Sequence, residues 1–196
     1  MQLERTLVVV KPDGVKRRLI GKIIQRLEEA GLKLVALKMF TPSVDLVKSN
    51  YPESDEWFKK AGDRSINTFK EMGVNIEQKF GTDNPIEVGK IIKKWIVRFM
   101  TSGNVVAMVW EGNRAADNVR RLIGETDPLK AQPGTIRGDF SVDNVILGNS
   151  SNRPMANVVH ASGNREEALT EIPLWFKSEE ILRYTREGED AFYKQW

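Results

Sequence analysis

Four short apolar runs constrain the fold of this chain more than any other feature of its sequence. Each run is rich in β-branched residues and is bounded by turn residues or by a helix-like stretch, as is typical of buried strands. The runs are RTLVVV (5–10), LKLVALKMF (32–40), NVVAMVWEG (104–112) and MANVVHA (155–161). They predict a small β-sheet whose strands are separated by segments of other structure.

The segments between the runs carry two amphipathic helices. Apolar residues share one face over LIGKIIQRLEEAG, which ends at Gly31, and NRAADNVRRLIGE ends in the same way at Gly124. The resulting order of strand, helix, strand, strand, helix, strand predicts an α+β fold of the ferredoxin-like type (βαββαβ). In that fold helices cover one face of an antiparallel sheet. We expect residues 1–196 to form a single domain.

Other segments show weaker patterns. A short helix is predicted after Ser43, and a longer one begins at Pro85, where an apolar stripe follows at helical spacing. Most of 53–93 is charged and turn-rich, with room for one short helix. The other expectations are a turn-rich stretch at 141–154, a loop at 126–140 and a helix with a loose end at 177–196.

Charge and composition exclude several classes of protein. The chain has 30 basic and 27 acidic residues, and its net charge of +3 is too small to indicate a bulk nucleic-acid binder. It contains no cysteine, which excludes disulfides and thiolate metal sites and fits a reducing compartment. The start of the chain lacks the features of a signal peptide, and no apolar run approaches membrane-spanning length. We expect a soluble, cytoplasmic protein that does not enter a membrane.

The only histidine of the chain, His160, is the first candidate for chemistry. It lies at the predicted end of the fourth strand, and the small residues ASG that follow leave room for a bulky group. A helix is predicted directly afterwards, and its N-terminal N–H groups favour an anion beside the ring. Glu171 lies about two turns along that helix and can orient the imidazole. A lone histidine is more often structural, so these residues alone leave both interpretations open.

Three basic residues are candidates for binding phosphate. Lys11 ends the first strand in KPDG, and Arg137 lies in GTIRGD, where the flanking Gly134 and Gly138 allow the backbone to approach a ligand closely. Arg120 lies on a predicted helix, where a solvent-facing role is the simpler interpretation. Guanidinium forks suit phosphate oxygens, and lysine serves as a point charge. Neither G-x-x-x-x-G-K-[ST] nor G-x-G-x-x-G occurs, so nucleotide phosphates would be bound without those loops.

Five motifs make the chain resemble the nucleoside diphosphate kinases. They are ERTLVVVKPDGV, GNVVAMVWEG, LIGETDP, PGTIRGDF and NVVHASG, in that order. The resemblance covers residues 3–51, 96–140 and 155–180, whereas 53–93 and 141–154 look like insertions. It implies a phosphotransferase that passes the terminal phosphoryl group of a nucleoside triphosphate such as ATP to a nucleoside diphosphate. The implied reaction is ping-pong and proceeds through a phosphohistidine.

The resemblance also implies a role for each polar residue of these motifs. His160 resembles the family nucleophile, Glu171 its orienting carboxylate and Ser162 the hydroxyl beside the ring. Tyr51 resembles a tyrosine close to the transferring phosphate, and Asn157 a residue that touches the sugar hydroxyls. The full set that resembles nucleotide ligands is Lys11, Tyr51, Arg120, Thr126, Arg137 and Asn157.

The resemblance further implies a metal and an assembly. Mg²⁺ is expected on the substrate phosphates with few protein ligands; Asp139 is the nearest carboxylate and also suits a structural role. The family forms hexamers or tetramers, and QPGT, with Pro133, resembles the loop through which members associate. We therefore expect a homo-oligomer, most simply a hexamer.

The aromatic residue that stacks on the base is not identified by the motifs. Trp57 and Phe58 are candidates because they follow the tyrosine closely, whereas Trp95 and Phe99 suit the core of the next helix.

Two other functions also stay open. The first is a non-catalytic nucleotide- or nucleic-acid-binding protein of the same fold, for which we would expect a broken active site. The motifs are intact, and the implied reaction requires no nucleic acid. A phosphohydrolase using the same histidine predicts a pocket that admits water.

Overall fold

The computed structural model describes residues 3–188, which contain one four-stranded sheet. The strands are β1 (Glu4–Val10), β2 (Lys33–Phe40), β3 (Val105–Gly112) and β4 (Val159–Ala161). The α-helices of this part of the chain are α1 (Pro12–Lys16), α2 (Ile20–Glu29), α3 (Val44–Asn50), α4 (Asp55–Glu71), α5 (Ile76–Phe80), α6 (Pro85–Met100), α7 (Ala115–Ile123), α8 (Ile136–Phe140), α9 (Val145–Ser150) and α10 (Arg165–Trp175).

The strand order is β2-β3-β1-β4, and every neighbouring pair is antiparallel. This topology confirms the predicted ferredoxin-like α+β fold. The pairing of β1 with β4 places Val9 opposite His160. Because β1 ends at Val10, the register brings Lys11 and His160 to the same end of the sheet.

Both faces of the sheet are covered, whereas the sequence led us to expect helices on one face only. In β1, Val8 and Val10 join a core that includes side chains from α2 and α7. Leu7 and Val9 point to the opposite face, where a second core includes side chains from α3, α6 and α10. The unbroken apolar run of β1 reflects this double burial, because a strand with one wet face alternates instead.

The charged segment 53–93 contains α4 and α5, so the expectation of one short helix was wrong. Helix α4 spans 17 residues and is capped by Ser54, whose Oγ accepts a hydrogen bond from the Trp57 N–H at 3.2 Å. Its fully buried positions are Gly62, Ser65 and Phe69. A buried face with a glycine and a serine carries little apolar periodicity, and the helix is therefore hard to recognise from its sequence.

Two further short helices lie in the expected loop at 126–140 and in the expected turn-rich stretch at 141–154. Helix α8 is capped by Thr135, whose Oγ1 accepts from the Gly138 N–H at 3.1 Å, and α9 is capped by Asn144, whose side chain accepts from the Leu147 N–H at 2.9 Å. Each is at most six residues long, too short to show a periodic apolar stripe.

The tail was expected to be helical, but the described part lies along β2 after a 3₁₀ turn at Ser178–Glu180. The Leu182 N–H donates to the Val35 carbonyl at 2.8 Å, and the Tyr184 hydroxyl donates to the Leu34 carbonyl at 2.7 Å. These bonds to the strand replace those of a helix. Residues 189–196 of the predicted helix lie outside the described residues.

Candidate active site

A cleft of about 300 Å³ opens at the end of the sheet where β1 and β4 meet. The predicted site residues that line it are Lys11, Tyr51, Arg120, Thr126, Arg137, Asn157 and His160. The other two predicted residues, Ser162 and Glu171, lie behind the His160 ring and contact each other. The fold therefore brings together the whole set that the motifs singled out.

His160 presents one ring nitrogen to a carboxylate. Its Nε2 lies 2.9 Å from Glu171 Oε1, while the side chain keeps 16% of its surface exposed toward the cleft. Burial alone would raise the pKa of Glu171, but His160 and the hydrogen bonds from Ser162 and Asn50 outweigh it and hold the pKa below its ordinary value. The carboxylate is thus ionised and can only accept, so a neutral ring carries its proton on Nε2 and its lone pair on Nδ1.

Asn50 and Trp175, which the sequence did not single out, extend this network. Asn50 donates to Glu171 Oε1 at 3.3 Å and accepts from the Trp175 Nε1–H at 2.6 Å. Ser162, fully buried, donates to Glu171 Oε2 at 2.5 Å, which places its hydroxyl against the carboxylate. Asn50 directly precedes Tyr51 in KSNY. Its polar side chain at the end of an apolar helix face is the one sequence feature that could have identified it as part of the site.

Tyr51 lies at the end of α3, edge-on to the His160 ring. The two ring centroids are 5.7 Å apart, with an interplanar angle of 65°. Burial, reinforced by the negative charge of Glu171, raises the pKa of Tyr51 above its ordinary value. The phenol therefore stays protonated and can donate a hydrogen bond into the cleft.

A buried lysine missed by the sequence analysis secures the backbone at Tyr51. Lys93 of α6 donates to the Tyr51 carbonyl at 2.5 Å and to the Lys48 carbonyl at 3.3 Å. It also pairs with the Glu53 carboxylate at 3.1 Å. These bonds satisfy carbonyls at the C-terminal end of α3, which otherwise lack intrahelical partners. No sequence signal distinguishes Lys93 from its neighbour Lys94, which is exposed.

Lys11 and Asn157 form a polar chain along one wall. Lys11 Nζ donates to Asn157 Oδ1 at 2.6 Å, and Asn157 Nδ2 donates to the Thr126 carbonyl at 2.7 Å. Burial, with a smaller contribution from the charge of Arg137, lowers the pKa of Lys11 to about 8, and Asp13 opposes the shift. Within residues 3–188 no carboxylate forms an ion pair with this lysine, which is therefore suited to an incoming anion.

Arg137 forms the floor of the cleft from helix α8 and is 3% exposed. Its guanidinium donates to the carbonyls of Gly124 and Val159 at 3.0 and 2.9 Å, and its buried Nε has no partner among the described residues. Burial, followed by the charges of Arg120 and Arg64, lowers its pKa to about 9.

The glycines beside Arg137 do not serve the role expected from the sequence. A Cβ on Gly138 would lie 2.1 Å from the Gln132 carbonyl oxygen, so this glycine permits close packing of the chain on itself. Gly134 takes a φ of +86° and donates its N–H to Asp139 at 2.8 Å. Neither glycine lines the cleft, so the expectation of close ligand approach at these residues was wrong.

Arg120 and a further arginine, Arg64, both line the cleft. The solvent-facing interpretation of Arg120 is wrong, since its side chain lies in the cleft wall. Enclosure by the walls, followed by the charge of Arg120, lowers the pKa of Arg64. Arg64 was missed because it belongs to α4, whose helical spacing from Trp57 was not recognised.

The aromatic candidates separate clearly. Trp57 lines the cleft and packs edge-on against Tyr51, with centroids 5.9 Å apart, whereas Phe58 turns to the outer groove beside Lys93. The other pair packs inside. Trp95 lies 5.4 Å from the Phe80 ring, and Phe99 packs against the second core.

Asp139 has a structural role. Its carboxylate pairs with Arg26 at 2.9 Å and accepts the Gly134 N–H at 2.8 Å. Among residues 3–188, no group of three or more histidine, aspartate or glutamate side chains is placed to hold a metal ion. The walls of the cleft are cationic instead, which suits a polyanion.

Comparison with known proteins agrees with this geometry. The family model of nucleoside diphosphate kinases matches residues 4–78 and 86–181. The chain belongs to the nucleoside diphosphate kinase family. Membership makes it a phosphotransferase that acts on nucleotides.

Individual relatives support the assignment. A nucleoside diphosphate kinase of Pyrobaculum aerophilum is 49% identical over 182 residues, which cover 93% of this chain and 100% of the relative. A crystal structure of an NDP kinase from the same organism superposes with a TM-score of 0.90 at 47% identity, over 93% of this chain and 100% of that one. The Borrelia burgdorferi nucleoside diphosphate kinase, solved as a transition-state mimic with vanadate and ADP, has a TM-score of 0.77 at 35% identity over 96% of each chain.

Proposed function

We propose that the chain transfers the γ-phosphate of ATP to a nucleoside diphosphate through a phosphohistidine at Nδ1 of His160. The observation that carries the proposal is the contact between His160 Nε2 and the ionised Glu171 at 2.9 Å, which leaves Nδ1 with its lone pair in a cationic cleft. In the first half-reaction this lone pair forms the N–P bond. The bond from phosphorus to the bridging oxygen breaks, and its electron pair leaves with the nucleoside diphosphate.

The second half-reaction reverses the first with another nucleotide. A terminal oxygen of the acceptor diphosphate attacks phosphorus, the N–P bond breaks, and its electron pair returns to Nδ1. The proton on Nε2 remains between the ring and Glu171 throughout, so no separate acid or base is required for the ring. In such a ping-pong exchange one site accepts both nucleotides in turn. A cleft that binds the phosphates suits this, because every nucleotide carries phosphates whereas the bases differ.

The cations of the cleft supply electrostatic stabilisation. Lys11, Arg120 and Arg137 neutralise charge on the equatorial oxygens, and the protonated Tyr51 donates to the same group. Thr126 binds further along the phosphate chain, and Asn157 contacts the sugar hydroxyls. The buried Nε of Arg137, which has no partner among the described residues, supports a role for that side chain beyond its two backbone bonds.

Mg²⁺ is proposed as part of the nucleotide substrate. The described residues offer no carboxylate cluster for an all-protein site, while Mg²⁺ readily takes substrate phosphate oxygens and water. The chain's own contribution is the cationic wall, which binds the phosphate oxygens that the metal leaves free.

Trp57 is the aromatic residue best placed to pack against the base, because it alone of the expected pair lines the cleft.

Incubation with γ-labelled ATP tests the proposal. The protein should acquire an acid-labile label at His160, and the label should leave on addition of any nucleoside diphosphate. His160→Ala should remain unlabelled. Acid-stable label, or label on the His160→Ala variant, contradicts the assignment.

A second variant tests the orienting role of Glu171. Glu171→Ala should slow phosphorylation without stopping it, because the nucleophile remains but its tautomer and direction are no longer held. Full activity in that variant would mean that another group orients the ring.

We propose that the chain assembles as a homohexamer in the cytoplasm. Self-association is supported by the exposed apolar side chains Leu37 and Met39 on the edge strand β2, and six copies is the number suggested by the family resemblance. A cytoplasmic location is supported by the absence of cysteine. No helix within residues 3–188 has the length and apolar character needed to cross a bilayer.

A further inference from the structure

Helix α4 presents one continuous face to the nucleotide cleft. Trp57, Ala61 and Arg64 lie at spacings of four and three residues, so they project from the same side of the helix. Lys60 and Ser65 complete the lining from the same face. None of these residues belongs to the five motifs by which the sequence resembles its family.

The helix is held firmly enough to act as a wall of the site. A Cβ on Gly62 would lie 1.9 Å from the Pro85 carbonyl oxygen, and one on Gly89 would lie 2.0 Å from the Phe58 carbonyl oxygen. Helices α4 and α6 thus meet backbone to backbone through reciprocal glycines. Ser65 also accepts a buried hydrogen bond from Asn149 of α9 at 2.8 Å, which fixes the cleft-facing side of α4.

The guanidinium of Arg64 has no bonded partner within residues 3–188, although it points into an already cationic cleft. The carboxylates that influence it, Glu125 and Asp127, act at longer range, and Asp127 Oδ1 accepts the Leu129 N–H at 3.1 Å. Arginines are also among its charged neighbours, since the charge of Arg120 lowers the pKa of Arg64 and the charge of Arg64 lowers the pKa of Arg137. Three guanidinium groups around one cavity repel one another until an anion occupies it.

Arg137 is buried, Arg120 is half-buried and Arg64 is exposed, so Arg64 lies at the outer end of this series. The charge of Arg137 affects the pKa of Lys11 and the pKa of Tyr51, both of which border His160. The pKa of Arg64 is affected instead by the charges of Arg120, Asp127 and Glu125. Arg137 is buried at the floor, and Arg64 is exposed at the mouth. A triphosphate whose terminal group meets His160 would extend its remaining phosphates toward Arg64.

We propose that Arg64 is a phosphate ligand contributed by helix α4, which binds the phosphates that stay on the nucleotide during transfer. The inference rests on the proposed phosphotransfer at His160 and adds a residue that acts on nucleotide affinity rather than on the chemical step. It assigns to the charged segment 53–93 a direct part in substrate binding.

The test compares Arg64→Met and Arg64→Lys with Lys70→Met, a control on the same helix whose exposed side chain does not line the cleft. Arg64→Met should raise the dissociation constant for ADP, measured by calorimetry, by about tenfold, the size expected for the loss of one charge-assisted hydrogen bond. Arg64→Lys should lie between Arg64→Met and the wild type. Lys70→Met should bind ADP as the wild type does.

Two further readouts separate this role from others. In labelling of His160, the loss in Arg64→Met should appear mainly as a higher ATP concentration at the half-maximal rate, and binding of adenosine should be unchanged. Unchanged ADP affinity, or an equal loss for adenosine, would overturn the role of Arg64. Failure of the wild type itself to label at His160 would instead overturn the proposed function.

Discussion

Behind His160, a series of side chains connects the reacting ring to the core. Glu171 accepts from Ser162 and Asn50, and Asn50 accepts in turn from Trp175, which is 3% exposed. When a buried polar group in such a network loses its partner, the free energy of its desolvation is no longer offset by a hydrogen bond. The direction of the ring is therefore determined by residues from α3 and α10 as well as by the strand that carries it.

The residue before the fourth strand is strained. Val158 has a φ of +68°, and the Val159 N–H donates to the Asn157 carbonyl at 2.7 Å, which defines a γ-turn. Such a conformation persists in a β-branched residue only when its surroundings enforce it. Asp13 accepts the Val158 N–H at 3.1 Å and the Lys11 N–H donates to the Val158 carbonyl at 2.8 Å, so the KPDG segment holds the turn that precedes His160.

The lowered pKa of Lys11 predicts an alkaline limb in the activity profile. Phosphate binding uses the ammonium form, and burial lowers the pKa of Lys11 to about 8. As the pH rises through that value the free enzyme loses this charge, and kcat/KM for ATP should fall. A bound triphosphate favours the ammonium form, so the corresponding fall in kcat should occur at higher pH.

Lys11→Arg is the control for this assignment. Arginine keeps its charge over the same range, so the variant should lose the limb in kcat/KM even where its activity is lower. A limb that persists unchanged in Lys11→Arg belongs to another group. A level wild-type profile through that pH would also contradict the prediction.

At the scale of elements, the contact between α4 and α6 is the least predictable feature of the site. It depends on Gly62 and Gly89, each lying against a carbonyl of the other helix. Glycine inside a helix is ordinarily unfavourable by about 0.5–1 kcal/mol relative to alanine, so its presence here is explained by the close approach it permits. This approach places Trp57 and Arg64 at the cleft.

Gly89→Ala should therefore destabilise the protein and disturb nucleotide binding together. Its Cβ would meet the Phe58 carbonyl, and overpacking of this kind costs about 1–3 kcal/mol. Urea unfolding should show the loss as a lower midpoint, and calorimetry should show weaker binding of ADP because α4 is displaced.

Gly21→Ala is the matched control, since a Cβ at Gly21 in α2 has no neighbour within 4 Å. That variant should be as stable as the wild type or more stable by about 0.5–1 kcal/mol, with ADP affinity unchanged. Wild-type stability and affinity in Gly89→Ala would contradict the proposed close contact.

At the scale of the whole molecule, the sheet has one edge that is partly covered and partly free. The segment after α10 bonds to β2 at Leu34 and Val35, while Leu37 and Met39 further along the strand are 49% and 52% exposed. An edge strand with exposed apolar side chains is a favourable surface for pairing with another chain.

Replacing both exposed side chains tests the proposed hexamer. Wild-type protein should sediment with the mass of six chains, and the double substitution Leu37→Asp with Met39→Asp should shift it to smaller species, because like charges would face each other across the interface. Leu169→Asp, at a more exposed position on α10, should leave the mass unchanged. A wild-type monomer, or a double variant with the wild-type mass, would contradict this interface.

The strands and the motif residues were accessible from the sequence because their signals are local. The β-branched run of β1 and the capped helix after Ser43 form where they were predicted. Strand β4 is shorter than predicted, since the strained Val158 ends the extended run on its N-terminal side. The insertions at 53–93 and 141–154 stay predictions, although the helices they contain are now defined.

By itself the sequence determined the order of strands and helices and the ferredoxin-like topology, and its motifs singled out His160 and the proposed phosphate ligands, because periodicity and motif are properties of neighbouring residues. Only the tertiary structure decided which ring nitrogen faces Glu171, that Asn50 and Trp175 support it, and that α4 contributes Arg64 to the cleft. These features arise from contacts between segments far apart in the chain. Their distances depend on how helices pack against the sheet, which no local pattern encodes.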